Sequence, residues 1–113
     1  KLIRLRLKSF GETSMQRPEP GFYYHYKHNP DDVYDHAYEI VNISRHTETE
    51  EYLVVYRPFY KSDFLEHADA SARPLDMFTD MVTKDGKTFP RFSKITDPEI
   101  IKKLEQKRDE MYF

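Results

Sequence analysis

The chain opens on a strict alternation, with Ile3, Leu5 and Leu7 set against Arg4, Arg6 and Lys8. Period two over Lys1–Phe10 predicts a strand with one apolar and one basic face. Residues 11–20 carry Pro18, Pro20 and small or polar neighbours, and read as a linker or ordered loop. Gly21–Tyr26 is a short aromatic strand, and Lys27–Asp32 is turn chemistry with Asn29 held extended by Pro30. Tyr34–Arg45 alternates Tyr34, His36, Tyr38 and Ile40 against Ala37, Val41 and Ile43. That pattern predicts a long strand, bulged or bent, or else a turn followed by a shorter strand from Tyr38. His46–Glu51 is a polar turn, and Tyr52–Tyr60 a second long strand whose Pro58 belongs at an edge or a bulge.

Lys61–Ala72 reads as a loop, with a helical turn available to Asp63–Ala70. Pro74 forces Arg73 into extended geometry, and Leu75–Phe78 then carries apolar side chains inward as a short helical turn. Asp85-Gly86, between the runs Phe78–Thr83 and Lys87–Phe92, is the strongest hairpin signal in the chain. Only the last segment, Thr96–Phe113, has a helical period. Thr96-Asp97-Pro98-Glu99 fits a capping box, and Ile100, Ile101, Leu104 and Met111 form an apolar stripe opposite Lys102, Lys103, Glu105 and Glu110. The organisation expected is an N-terminal strand and Pro-containing linker over 1–20, a barrel-like β module over 21–95, and a helix over 96–113.

Composition narrows the function classes. Of the 113 residues, 38% are hydrophobic but 15% are aromatic, and rings of ~150–250 Å² each can furnish a core that aliphatics alone would not. Charges make up 34% with a net of −2, so no global field draws the chain to nucleic acid or anionic membrane. With no Cys, disulfides, thiolate nucleophiles and Cys-based zinc sites are excluded. No apolar run reaches the ~20 residues of a membrane span, so the protein is expected to be soluble and cytoplasmic. Beginning at Lys1, the sequence is expected to be part of a longer chain. Three glycines leave no room for a P-loop or a Rossmann fingerprint.

Three ordered blocks carry a resemblance. Arg45–Tyr60 (RHTETEEYLVVYRPFY), Arg73–Phe78 (RPLDMF) and Asp85–Phe92 (DGKTFPRF) are similar to a bacterial family, domain of unknown function sixteen fifty-three. Tyr24-His25-Tyr26-Lys27 and Tyr38-Glu39-Ile40 fit the start of the same pattern, which spans roughly 21–95. This chain departs from it twice: His28–Ala37 is inserted, and Ser71-Ala72 stands where the family carries a Trp before Arg-Pro. The resemblance implies a compact β-rich module, SH3-like in outline, and no activity.

Candidate chemistry sits in four places. His46, Glu48 and Glu50 share a turn, where His46 as base and Glu48 as its orienter would suit a small hydrolase or transferase. The plainer account is a turn held by Thr47 and Thr49, with His46 capping a strand end. The five histidines and Asp31-Asp32 lack the spacing that fixes two ligands on one face, so no metal and no cofactor are expected. Tyr24, Tyr26, Tyr56 and Phe78 could line a groove gripping a ligand, or fill a Tyr-rich core. Arg57, Arg73 and Arg91 each adjoin a proline; Arg57 and Arg91 suit structural ion pairs, while Arg73 is the candidate anion anchor. The basic face of Lys1–Phe10 is read as a solvated edge rather than a phosphate contact.

The reading adopted is a mainly β (β-rich α+β) protein, a small SH3-like, partly open barrel of about five strands with a C-terminal amphipathic helix. Its expected role is non-enzymatic binding of a small anionic ligand, a peptide or single-stranded nucleic acid, the last not favoured. An enzyme built on His46 is the competing class, and a structural or oligomerisation subunit the third.

Overall fold

A computed structural model describes residues 17–59 and 70–113. The predicted Lys1–Phe10 strand, Tyr60 and most of the predicted Lys61–Ala72 loop lie outside the described residues. In chain order the elements are β1 (Gly21–His25), β2 (Ala37–Arg45), β3 (Tyr52–Pro58), β4 (Ser71–Pro74), α1 (Leu75–Phe78), β5 (Met81–Lys84), β6 (Lys87–Pro90), β7 (Phe92–Lys94) and α2 (Pro98–Tyr112).

Five strands form one antiparallel sheet in the order β4-β3-β2-β1-β7, and β5 and β6 form a separate two-stranded ribbon. β4 and β7 are its two edges, so the sheet is not closed into a barrel. It does curl. Arg73 from the β4 edge brings its guanidinium within 5.6 Å of the Phe92 ring on the β7 edge, across the face that β3, β2 and β1 line. Side chains, rather than a hydrogen-bonded ladder, bridge the gap that the expected partly open barrel would have narrowed.

Each face of the sheet has its own core. On one, Phe22, Ala37 and Phe59 meet Ile95 and Leu104, with Ile100, Ile101 and Met111 of α2 packed against them. On the other, Tyr23, Ile40 and Val54 meet Phe78 of α1, joined by Ile43, Tyr56, Leu75 and Phe92. Alternation along β1 sends Phe22 and Tyr24 to the helix face and Tyr23 and His25 to the other. In β2 the parity changes: the register slips between Ile40 and Asn42, leaving Val41 unpaired and exposed. This bulge returns Ile43 to the same face as Ile40, three residues earlier.

Local chemistry fixes the remaining pieces. Asp85 and Gly86 both have positive φ, 54° and 76°, as a two-residue hairpin loop of the primed type demands. The ladder beyond them pairs Lys84 with Lys87 and Met81 with Pro90, and the Thr83 and Thr88 hydroxyls lie 2.9 Å apart across it. Phe78 and Phe92, expected to extend this hairpin, belong instead to α1 and β7. At α2 the N-cap is Asp97, one residue later than the capping box predicts; its carboxylate accepts from the Glu99 N–H at 2.9 Å. Pro58 ends β3 beyond the stretch paired with β4, where its missing N–H costs no ladder bond.

The inserted stretch folds into a tied loop. The Asn29 N–H donates to Asp35 at 2.7 Å and the Tyr34 N–H to Asp32 at 3.0 Å. The Tyr24 hydroxyl donates to the Val33 carbonyl at 2.7 Å, and the Tyr24 ring stacks on His28 at 3.5 Å.

Candidate functional site

The concave face of the curled sheet collects the groups best suited to bind. Arg73 in β4 pairs with Val54 in β3, so its side chain rises on the face that carries Tyr56. Its guanidinium lies 5.9 Å from the Tyr56 ring centre and 5.6 Å from that of Phe92. Tyr38 meets both rings edge-on, at 5.7 Å each, and His25 meets Phe92 edge-on at 5.0 Å. Behind Phe92, Phe78 stacks in parallel at 4.2 Å and is itself buried.

Charge partners separate Arg73 from the other half-buried arginines. Arg57 donates to Glu39 at 2.6 Å, and Arg108 reaches the second oxygen of the same carboxylate at 3.0 Å. Arg91 makes two bonds to Asp80, at 2.6 and 3.1 Å. Among the described residues no carboxylate bonds to Arg73; its contacts are the two rings, and Asp80, already bonded to Arg91, feels its charge only at longer range. A guanidinium offers five donors in a rigid fork and stays charged at any working pH, so Arg73 is equipped to meet an external anion.

The other sequence-predicted residues fall elsewhere. Tyr24 points to the helix face, bonded and stacked as above. Tyr26 lies past the end of β1, with the Arg91 guanidinium 5.8 Å from its ring and Phe89 5.7 Å away, so it borders the hairpin. Phe78 is a core residue supporting Phe92. His46 opens the turn that follows β2: its Nδ1 accepts from the Glu48 and Thr49 N–H groups at 3.1 and 3.2 Å. With that nitrogen committed to backbone, and the Glu48 carboxylate exposed without a bond to it, the pair lacks the base-and-orienter geometry. Among the described residues no three of His, Asp and Glu converge to hold a metal. Phe92, His25 and Tyr38 were not singled out for the groove; each recurs in the aromatic blocks quoted above, but nothing local shows that a curl joins β7 to β4.

His25 is held un-ionised. Desolvation first, then the positive charge of the surrounding His36, Arg91, Arg73 and Lys27, lowers its pKa from 6.5 to about 4. The Lys27 N–H also donates to its Nδ1 at 3.2 Å, which places the proton on Nε2. Because the folded pKa lies below the unfolded one, the unfolded chain takes up this proton first. The stabilisation is therefore complete above pH 6.5 and lost as pH falls toward about 4. His25 is partly open to solvent, so the expected loss is about 1–2 kcal/mol after screening. Denaturant unfolding between these limits should show it in the wild type and not in His25→Gln; parallel curves for the two would disprove the assignment.

A family model described as protein of unknown function (DUF1653) matches residues 21–94. The chain belongs to this family. A crystal structure of a DUF1653 protein from Bordetella bronchiseptica is 30% identical, with a TM-score of 0.55 over 72% of this chain and 91% of that one. No curated protein matches the sequence significantly.

Among the described residues of this DUF1653 protein, two clefts lie beside the groove. The larger, about 340 Å³, is lined by Asp32, Tyr34, Asp35, His36 and Phe59 and shares none of Tyr56, Arg73 or Phe92. Its carboxylates are engaged: Asp32 and Asp35 accept the backbone bonds given above, and the Asn29 N–H holds the Asp35 carboxyl below the usual range. His36 Nδ1 stands 3.0 Å from Asp35 Oδ2, in a geometry that leaves that nitrogen without a hydrogen bond. Such an acid-lined wall does not suit an anion. The smaller, about 210 Å³, runs between α1 and the hairpin and has Tyr23, Phe78, Met81, Pro90 and Phe92 among its walls. It is mostly apolar and shares Phe92 with the groove. No helix among the described residues is long and apolar enough to cross a membrane.

Proposed function

We propose that the protein is a non-enzymatic binding module whose concave face takes a small anionic ligand with an apolar body. The observation that carries this is Arg73, half-buried between Tyr56 and Phe92 without a bonded carboxylate among the described residues. Burying a guanidinium costs free energy unless it is paired, and the other half-buried arginines are paired. Ring faces offset part of that cost; an anion would offset more. The rings and the apolar cleft beyond Phe92 supply the surface a ligand body needs.

Thermal unfolding against a panel of acetate, benzoate, inorganic phosphate and nucleoside monophosphates tests the reading. A ligand at 100-fold over its Kd should add ~2.7 kcal/mol, a shift of several degrees for a domain of this size. Arg73→Gln should abolish that shift while leaving the unliganded midpoint within about 1 kcal/mol of wild type, as befits a side chain at a sheet edge. An unresponsive panel, or a shift that survives in Arg73→Gln, would refute the groove.

A further inference from the structure

Resting on the reading just given, we infer that the ligand's head group is a carboxylate, a single negative charge, rather than a phosphoryl dianion. The inference comes from counting the charge that this face can present. Arg73 contributes one permanent positive charge, and among the described residues nothing else bordering the groove adds a second that is both close and uncommitted. Arg91, the nearest rival, is closed by its two bonds to Asp80. His36, whose ring centre is 5.5 Å from that of His25, has the Asp35 carboxylate 3.0 Å from its Nδ1. Lys27 is exposed, where solvent and salt screen its charge.

His25 decides the count. It meets the same Phe92 ring that Arg73 does, and the Arg73 charge acts on it, so an anion seated on Arg73 would change the field at its ring. Protonating it at Nδ1 would break the bond from the Lys27 N–H and add a cation beside His36, Arg91, Arg73 and Lys27, the same groups that oppose its charging. It serves instead as a neutral imidazole with a fixed tautomer, able to donate from Nε2. One guanidinium fork and one neutral N–H match the two oxygens of a carboxylate, which Arg binds bidentately. A dianion would be left with half its charge unmatched in a desolvated groove, which binding penalises.

The test is a titration of the 113-residue chain with benzoate, acetate and inorganic phosphate as probes. Amide and His25 ring signals are followed by NMR between pH 5.5 and 8. Benzoate is expected to bind at least tenfold tighter than phosphate, with a Kd that changes less than twofold over this range. It should lose at least tenfold in affinity in Arg73→Gln, and less in Arg73→Lys, which keeps the charge without the fork. Phosphate binding preferentially at pH 8, where it is the dianion, would overturn the carboxylate assignment while leaving the anion groove intact. Failure of every probe to bind folded wild-type protein, or equal binding to folded Arg73→Gln, would overturn both.

Discussion

Truncating Leu104 to alanine is expected to remove about 2–5 kcal/mol of folding free energy. Leu104 is fully buried and is the α2 side chain that enters the core of Phe22, Ala37, Phe59 and Ile95. Backbone on both sides is tied down, by the Asp97 cap at one end and by the Tyr112 hydroxyl, donating to the Pro58 carbonyl at 2.6 Å, at the other. The helix cannot slide inward to fill the hole, so most of the cavity remains. A domain of this size has only about 5–15 kcal/mol in hand, so the midpoint of thermal unfolding should drop by ten degrees or more. A loss below about 1 kcal/mol in denaturant unfolding would show that α2 is not integral to the core.

Glu39→Ala should cost about 3 kcal/mol, for the opposite kind of reason. Its two carboxylate oxygens serve two guanidiniums, Arg57 from the neighbouring strand and Arg108 from α2. The side chains of Glu39, Arg57 and Arg108 are 12%, 15% and 22% exposed, so removing the carboxylate strands Arg57 in a largely dry layer and leaves Arg108 only its bond to the exposed Asp109. Arg108→Met leaves the Glu39–Arg57 pair whole and keeps an apolar stem beside Phe22, so its cost should stay near about 1 kcal/mol. Equal losses in the two variants, measured by urea unfolding, would sink the idea that one carboxylate holds the layer together.

Where the sequence speaks locally it specifies the fold well. Asp85-Gly86 needs only its own φ angles to define a hairpin, and the apolar stripe of α2 needs only its period. β4 is illegible for a related reason: Ser-Ala-Arg-Pro has no apolar alternation, and it becomes a strand by pairing with β3. The same limit governs the groove. That Tyr56 and Arg73 come together is accessible from the aromatic and proline pattern, but not that Tyr24 faces the helix, because periodicity says which residues share a face and not which face a helix will cover. Phe92 enters the site only because the sheet curls, and curl is a property of several strands at once.

The unpaired Val41 has a consequence for how β2 can change over time. Because the bulge switches the strand's parity, the strand behaves as two short reading frames spliced at one residue. Substitution at Val41 should be cheap, since its side chain is exposed. Deleting it would close the bulge: Ile40 and Ile43 would stand two apart in a continuous ladder, still on one face, and the strand would lose only its extra bend and twist. Variation at this point of β2 should therefore tolerate a change of residue type or the loss of this one residue, whereas a deletion elsewhere in the strand would turn half of it to the wrong face.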